Sequence, residues 1–162
     1  MQIWIRQALT KDMLQVHRLV QELAAFENAP SEVITTPQQY ITDGFDEKRF
    51  KVIVAEDTTL PPEKSIIGIA FYYWAYSTWK GKYIWLEDLI VTENYRQSGV
   101  GSLLFKEIIR TAKYEGAMLL KWQVLDWNTP AIKFYEKINA QHDAEWLTYR
   151  INQTDFDSAL NN

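Results

Sequence analysis

A glycine-containing loop between a predicted strand and a predicted helix is the segment best suited to chemistry. The loop covers residues 95–102, follows the apolar run 89–91 and leads into a helical pattern at 103–109. The first amides of a helix have no intrahelical partner, and the helix dipole adds partial positive charge there. Because Gly99 and Gly101 lack a Cβ, the backbone can approach a ligand closely. The segment therefore predicts an anion site, such as one for the pyrophosphate of a nucleotide-like cofactor.

The residue spacing excludes several other kinds of site. The loop lacks the third glycine of a Rossmann fingerprint and the acidic residue that follows it about twenty positions later. It also lacks the Lys-Ser/Thr pair of a P-loop. The chain has no cysteine, which excludes disulfides, a cysteine nucleophile and thiolate metal sites. His17 and His142 have no partners at ligand spacing, so no metal site is predicted.

Length, charge and hydropathy restrict the class of protein. The 162 residues suit a single domain over residues 1–162. A net charge of -4 argues against a nucleic-acid partner, since phosphate backbones select basic surfaces. The longest apolar-aromatic run, 66–76, is too short to cross a bilayer as a helix, and residues 1–6 lack the pattern of a secretory signal. These features favour a cytoplasmic protein with no membrane partner.

Hydrophobic periodicity predicts the element order β-α-α-β-β-β-α-β-α-β. After a strand at 3–7, Thr10 is the predicted N-cap of a helix that ends before Pro30. A capping box at 36–39 starts a second helix, which Gly44 is expected to stop. The other predicted elements are strands at 50–55, 66–77, 82–91, 118–125 and 146–151 and helices at 99–114 and 128–138. The strands 66–77 and 82–91 are expected to pair antiparallel through a turn, and Asn139 follows the last helix where a left-handed residue is needed. This order predicts an α+β fold: a mixed, mainly antiparallel sheet with helices on both faces.

Two motifs resemble those of a known family. The pattern R-x-x-G-x-G at 96–101, after a strand, resembles the acyl-CoA pyrophosphate loop of the GNAT superfamily of N-acetyltransferases. The pattern N-x-x-A-x-x-F-Y at 128–135 also matches this superfamily, in the right order along the chain. The aromatic stretch 72–79 and Leu-Glu-Asp at 86–88 resemble the diamine (spermidine/spermine) and thialysine N-acetyltransferase branch. The resemblance covers residues 5–151.

Acetyl transfer to an amine requires removal of a proton, because an alkylamine with a pKa of about 10.4 is protonated at neutral pH. Glu87 is the predicted base, directly or through a water, and the resemblance implies the same residue. Its neighbour Asp88 would point to the opposite face of a regular strand. The resemblance implies that Tyr135 is the acid that protonates the thiolate leaving group. Without a cysteine or a Ser–His motif, we expect direct attack rather than an acyl-enzyme.

The resemblance also implies acetyl-CoA as the acyl donor, held mainly by backbone groups. The predicted cofactor-binding residues are Leu89, Ile90, Val91, Arg96, Gln97, Ser98, Gly99, Val100, Gly101, Ser102, Asn128 and Tyr135. A backbone N–H of the strand 89–91 would meet the developing oxyanion, where the family has a splay or bulge. The implied substrate-binding carboxylates are Glu27, Glu87, Asp88 and Glu145. Gln97 and Asn139 depart from the family, which usually has glycine at both positions.

The sequence is compatible with several functions. The leading hypothesis is an acetyl-CoA-dependent N-acetyltransferase for a small cationic amine, such as a polyamine, a diamine or a thialysine-like amino acid. The alternatives on the same fold are a protein or amino-acid N-acetyltransferase and a non-catalytic acyl-CoA-binding regulatory domain. The aromatic strand pair could instead serve an interaction module, although a homodimer, which the family often forms, is the favoured use of such a surface.

Overall fold

The chain divides into two compact units. The computed structural model describes residues 1–161. The first unit is Met1–Gln123, and the second begins at Val124. All described strands belong to the first unit, while the described part of the second contains helices and irregular chain. The prediction of one domain over residues 1–162 stays a prediction.

A five-stranded sheet forms the centre of the first unit. Its strands, in both chain and spatial order, are β1 Ile3–Gln7, β2 Lys51–Asp57, β3 Ile66–Ser77, β4 Gly81–Val91 and β5 Leu120–Lys121. Neighbouring strands are antiparallel except β4 and β5, which are parallel. Aromatic and β-branched residues, which favour strands, dominate β3 and β4. A short turn joins these two strands as a hairpin, as predicted.

The described residues form five α-helices. They are α1 Met13–Phe26, α2 Pro37–Ile41 and α3 Val100–Tyr114 in the first unit, and α4 Thr129–Lys137 and α5 Phe156–Leu160 in the second. Short 3-10 turns lie at Thr10–Asp12, Pro30–Glu32, Pro62–Lys64, Glu93–Tyr95 and Gln153–Asp155. Asn139, just after α4, has a φ of 60°, which confirms the predicted left-handed residue.

Different helices cover the two faces of the sheet. Val52 of β2 packs in one buried cluster with Met13 of α1. The next residue, Ile53, is also buried and points to the opposite face, because side chains alternate along a strand. Helix α3 packs on that face, where a Cβ added to Gly68 of β3 would lie 3.1 Å from the side chain of Leu104. The predicted mixed, mainly antiparallel sheet with helices on both faces is confirmed.

The predicted N-cap of the first helix is wrong. Thr10 lies inside a 3-10 turn, and α1 begins only at Met13. The Asp12 carboxylate accepts a hydrogen bond from the Leu9 N–H at 2.7 Å and forms an ion pair with Arg6 of β1 at 2.6 Å. The Asp12 carboxylate therefore caps the 3-10 turn that precedes α1, and its ion pair with Arg6 attaches this turn to β1.

The predicted end of the second helix is also wrong. Helix α2 ends at Ile41, and the chain continues as a π-helical turn at Thr42–Asp46 that contains Gly44. A Cβ added to Gly44 would lie 2.7 Å from the ring of Phe50. Glycine is therefore required there by close packing against an aromatic ring, and not by a left-handed helix stop.

The capping box of α2 provides a test of these assignments. The Thr36 hydroxyl accepts a hydrogen bond from the Gln39 N–H, and the Gln39 side chain accepts one from the Thr36 N–H. We expect Thr36→Ala to lower the free energy of unfolding by about 1 kcal/mol. The matched control Thr10→Ala removes no capping bond and should change it by less than about 0.5 kcal/mol. Urea denaturation measures both free energies of unfolding, and an equal decrease in the two variants would contradict the cap assignments.

The two C-terminal strand predictions are largely wrong. Only Leu120–Lys121 of the predicted strand 118–125 pairs with β4, and 146–151 forms no strand. The alternating Trp, Leu, Tyr and Ile of 146–151 is typical of a strand, but a strand exists only where a neighbouring edge supplies hydrogen bonds. No described strand forms a ladder with this segment, and Tyr149 is 87% exposed.

Candidate active site

The glycine loop follows β4 directly and ends at the first turn of α3. Gln97 has a φ of 62° and Gly99 a φ of 91°, so both adopt the left-handed conformation that favours glycine. The Leu103 N–H donates to the Gly99 carbonyl at 3.1 Å, which makes it the first amide bonded within the helix. The preceding amides of the helix therefore point out of its end toward the loop. The geometry is the strand–loop–helix arrangement predicted from the sequence.

Two carboxylates outside the loop fix its position. The Glu22 carboxylate of α1 accepts hydrogen bonds from the Thr92 hydroxyl and from the Glu93 N–H, both at 2.8 Å. The Tyr95 hydroxyl donates to the Asp57 carboxylate of β2 at 3.2 Å. These bonds attach the segment between β4 and the loop to two other elements of the first unit. They preorganise the loop before any ligand binds.

The Arg96 side chain braces the loop against the end of α1. Its Nε donates to the Val91 carbonyl at 3.2 Å, and its guanidinium lies 3.6 Å from the Glu22 carboxylate and 4.9 Å from the ring centroid of Phe26. The sequence identified Arg96 only as a cofactor-binding residue. The structure adds a second role, because the same side chain holds the start of the loop to α1.

The glycines leave room for an anion beside the helix end. A Cβ added to Gly99 would meet no atom within 4 Å, and one added to Gly101 would meet only the Val91 side chain, at 3.7 Å. No atom of residues 1–161 crowds these two positions, so the space beside the glycines is open. Open space, left-handed residues and outward amides together suit a pyrophosphate group.

Gly99→Ala tests whether this open space is used. The variant combines a strained φ with a Cβ directed into the space, so we expect a loss of about 1 kcal/mol of stability and about tenfold weaker acetyl-CoA binding. Gly81→Ala is a matched control, because Gly81 has a similar φ of 96° in the β3–β4 hairpin. Calorimetric titration should give weaker binding for Gly99→Ala alone. Equal weakening in both variants would mean that strain, and not the loop, is responsible.

The pairing of β4 with β5 is short. Parallel pairing joins Ile84 to Leu120 and Trp85 to Lys121 and extends no further. Within Met1–Gln123, the rest of β4 up to Val91 has no partner strand on this edge. The resemblance implies a splay near residues 89–91, and the end of this ladder lies before that stretch.

A bulge interrupts β4 at Glu87. Phe71 of β3 pairs with Asp88 and the next residue, Tyr72, pairs with Leu86, so Glu87 is the extra residue. The expectation that Glu87 and Asp88 lie on opposite faces assumed a regular strand and is therefore wrong. The bulge brings both carboxylates to the α1 face of the sheet.

Hydrogen bonds show where the Glu87 carboxylate lies. The Trp85 Nε1–H donates to Glu87 Oε2 at 2.8 Å, and Tyr73 interacts with the same carboxylate through its hydroxyl. Tyr73 pairs with Trp85 and lies two residues from Phe71, which packs in the α1-face cluster. Burial, followed by the charge of Glu87, raises the pKa of Tyr73 to about 12.

Asp88 is the most perturbed carboxylate of this group. Burial raises the pKa of Asp88 to about 7, and the negative charges of Glu87 and Glu27 act in the same direction. Glu27 follows the last residue of α1, and partial burial raises its pKa as well. The charge of Asp88 also contributes to the raised pKa of the Tyr40 hydroxyl of α2, after burial. Three of the four predicted substrate carboxylates therefore interact electrostatically.

The remaining predicted residues belong to the second unit. Asn128 is the N-cap of α4, and its Oδ1 accepts a hydrogen bond from the Ala131 N–H at 3.4 Å. This cap uses the oxygen of the amide, and the NH2 group can donate elsewhere. Burial raises the pKa of Tyr135 to about 12, and its ring lies 5.4 Å from that of Phe134. Glu145 is exposed.

Several functional contacts were missed by the sequence analysis. Nothing local marks Glu22 as the residue that holds the loop, because its partners lie about 70 residues away in sequence. Trp85, two residues before Glu87 in a strand, could have been recognised as its same-side neighbour. Among the described residues, no group of His, Asp or Glu could hold a metal ion, and no helix could span a membrane.

Comparison with known proteins identifies first the fold and then the family of this chain. A solved integron cassette protein from V. cholerae superposes with a TM-score of 0.78 at 22% identity, covering 100% of this chain and 99% of that one. The model of the Acetyltransferase (GNAT) family matches residues 16–140. The chain therefore belongs to the GNAT acetyltransferase family, and it is an N-acetyltransferase.

Its relatives confirm the predicted branch. The chain is 36% identical over 155 residues to the thialysine N-epsilon-acetyltransferase of Bos taurus, with 91% of each chain covered. It is 32% identical over 140 residues to the enzyme of the same name from Caenorhabditis elegans, covering 85% of this chain and 84% of that one. A human spermidine/spermine N(1)-acetyltransferase-like protein 1 is 32% identical over 155 residues, which are 92% of this chain and 22% of the human protein.

Proposed function

We propose that this enzyme transfers acetyl from acetyl-CoA to the primary amine of a small cationic substrate, a polyamine, a diamine or a thialysine-like amino acid. The observation that carries the proposal is a group of three interacting carboxylates: Glu87 and Asp88 on β4, the strand that leads into the glycine loop, and Glu27 just after α1. Clustered negative charge attracts a small cation. The names of the relatives, which include thialysine and spermidine/spermine, agree with such an acceptor.

Acetyl-CoA, the acyl donor of the family, would supply an activated thioester. The residues proposed to bind it are Leu89, Ile90, Val91, Arg96, Gln97, Ser98, Gly99, Val100, Gly101, Ser102, Asn128 and Tyr135. The open edge of β4 would bind the pantetheine arm through backbone groups, and the start of α3 would bind the pyrophosphate. The Asn128 amide would donate to the pantetheine arm. A backbone N–H of residues 89–91 would stabilise the charge that develops on the carbonyl oxygen.

Glu87 and Tyr135 are proposed as the acid–base residues. Glu87 would contact the substrate ammonium and begin its deprotonation, directly or through a water, so that the neutral nitrogen attacks. The Tyr135 hydroxyl would protonate the thiolate. With a pKa of about 12, Tyr135 stays protonated at neutral pH and can act as a donor. Direct attack is proposed because the chain has no cysteine and no recognisable Ser–His motif.

The substrate pocket would combine carboxylates with aromatic side chains. Glu27, Glu87 and Asp88 are proposed to bind the cation, with Glu145 as a fourth carboxylate. The rings of Tyr73 and Trp85 lie next to Glu87 and could add cation–π attraction. We also propose that the protein is a cytoplasmic homodimer.

A thiol-release assay tests the proposed function. Purified protein is incubated with acetyl-CoA and, one at a time, spermidine, putrescine, thialysine, lysine and a lysine peptide. The chain contains no cysteine, so it contributes no thiol background. Release with one or more of the small cationic amines is the expected result. Release with the peptide alone would favour a protein acetyltransferase, and acetyl-CoA binding without release would favour the non-catalytic alternative.

A further inference from the structure

We infer that Asp88 is the group on which the proton removed from the substrate amine comes to reside, so that Glu87 and Asp88 act as one proton-accepting pair. This inference rests on the proposed function and deepens it. The family resemblance implied only a substrate-binding role for Asp88. The bulge in β4 is the feature that changes this assignment, because it places two consecutive carboxylates on the same face.

The two carboxylates have different surroundings, which suit them to different roles. Glu87 is exposed, and the Trp85 indole and the Tyr73 hydroxyl hold its position and occupy acceptor sites on its oxygens. An exposed, fixed carboxylate is suited to receive the ammonium. Asp88 is half-buried, and within residues 1–161 no side chain or amide donates a hydrogen bond to it. A carboxylate that is partly removed from water and has no donors is stabilised by binding a proton.

The charged groups around Asp88 both raise its pKa. Glu87 on β4 and Glu27 at the end of α1 place negative charge near it, and Tyr40 of α2 is a neutral hydroxyl at neutral pH. Tyr73 on β3 is neutral too and interacts with Glu87. The cause of the raised pKa of Asp88, about 7, is therefore burial first and then these two carboxylates. A base with this pKa is matched to an operating pH near neutrality.

The position of Asp88 along β4 suits proton acceptance near the reaction centre. Asp88 lies two residues before Ile90, a distance of about 7 Å along a strand. Ile90 is on the stretch proposed to meet the acyl carbonyl. A substrate amine between the carboxylates and this stretch would need to move little between deprotonation and attack.

The proton balance of the step is simple. One N–H bond of the substrate ammonium breaks, its electron pair stays on nitrogen, and an O–H bond forms on the Asp88 carboxylate. The nitrogen pair forms the C–N bond as the C–S bond breaks with its electrons on sulfur. Tyr135 protonates the sulfur and is reprotonated by the second nitrogen proton. The proton on Asp88 is released to solvent before the next turnover.

The experiment compares two acceptors in wild type and Asp88→Asn. One acceptor is the cationic amine selected by the thiol-release assay, and the other is 2,2,2-trifluoroethylamine, a primary amine that is largely neutral at pH 7.5. We expect Asp88→Asn to lower kcat/KM about 100-fold for the cationic amine and less than about fivefold for the neutral one. Equal losses with both acceptors would overturn the inference and leave Asp88 a binding or structural residue.

Carboxyl titration tests the same assignment without turnover. In protein labelled with 13C at aspartate carboxyls, one resonance should titrate near pH 7 and be absent from Asp88→Asn. Glu87→Gln should move this midpoint to lower pH, because a negative charge is removed. Titration of every resonance near pH 4 would overturn the inference. If the wild-type protein acetylates neither amine, the proposed function itself is wrong. The titration does not depend on turnover, so it shows separately whether Asp88 has been assigned correctly.

Discussion

Tyr135→Phe is expected to lower kcat about 100-fold while leaving the Kd for acetyl-CoA within about twofold of wild type. The substitution removes one hydroxyl from α4 and retains the ring that packs against Phe134. Since the hydroxyl is proposed to act only when the C–S bond breaks, its loss affects the transition state more than the bound ground state. Steady-state kinetics and calorimetric binding of acetyl-CoA measure the two quantities separately.

The pH profile sharpens this prediction. Burial raises the pKa of Tyr135 to about 12, so the hydroxyl stays protonated across the usual assay range. Loss of the acid should therefore lower kcat by a similar factor from pH 6 to pH 9. Tyr149→Phe is the matched control in the same unit, since Tyr149 is 87% exposed and has no assigned role. Full activity of Tyr135→Phe would exclude Tyr135 as the acid.

Asp88→Asn is expected to stabilise the protein at pH 8. In the folded state the pKa of Asp88 is about 7, against 3.8 for an unperturbed carboxyl. The stability that this group contributes is fully present below pH 4 and is lost as the pH rises through 7, because the folded protein then holds a buried charge. Asparagine is neutral at every pH and avoids this cost. The expected gain at pH 8 is up to about 4 kcal/mol.

Urea unfolding at pH 4 and pH 8 measures this effect. The difference between Asp88→Asn and wild type should be small at pH 4, grow between pH 4 and pH 7, and stay constant above. Asp46→Asn, at an exposed carboxylate, should change stability by less than about 0.5 kcal/mol at either pH. A variant that gains stability while losing activity would identify Asp88 as a residue retained for function at the expense of stability. No pH-dependent difference would mean that Asp88 is not buried in its charged form.

The local signals in the sequence predicted the elements that depend on local interactions. The capping box of α2, the β3–β4 hairpin and the left-handed Asn139 all follow from bonds within a few residues. The predictions that failed depended on contacts outside the element concerned. Asp12, which bonds the Leu9 N–H and pairs with Arg6 of β1, lies in a 3-10 turn before α1, and packing against Phe50 explains Gly44. The strand at 146–151 failed because β propensity does not supply a neighbouring edge.

The sequence by itself determined the family, the glycine loop after β4 and the identity of the candidate carboxylates, because these depend on residue type and on spacing along the chain. The tertiary structure alone decided how the carboxylates are related. Pairing of β3 with β4 creates the bulge at Glu87, and packing of the sheet against α1 and α2 buries Asp88 near Glu27. A pKa depends on burial and on charges brought close by folding, so no motif could have distinguished Asp88 from its neighbour.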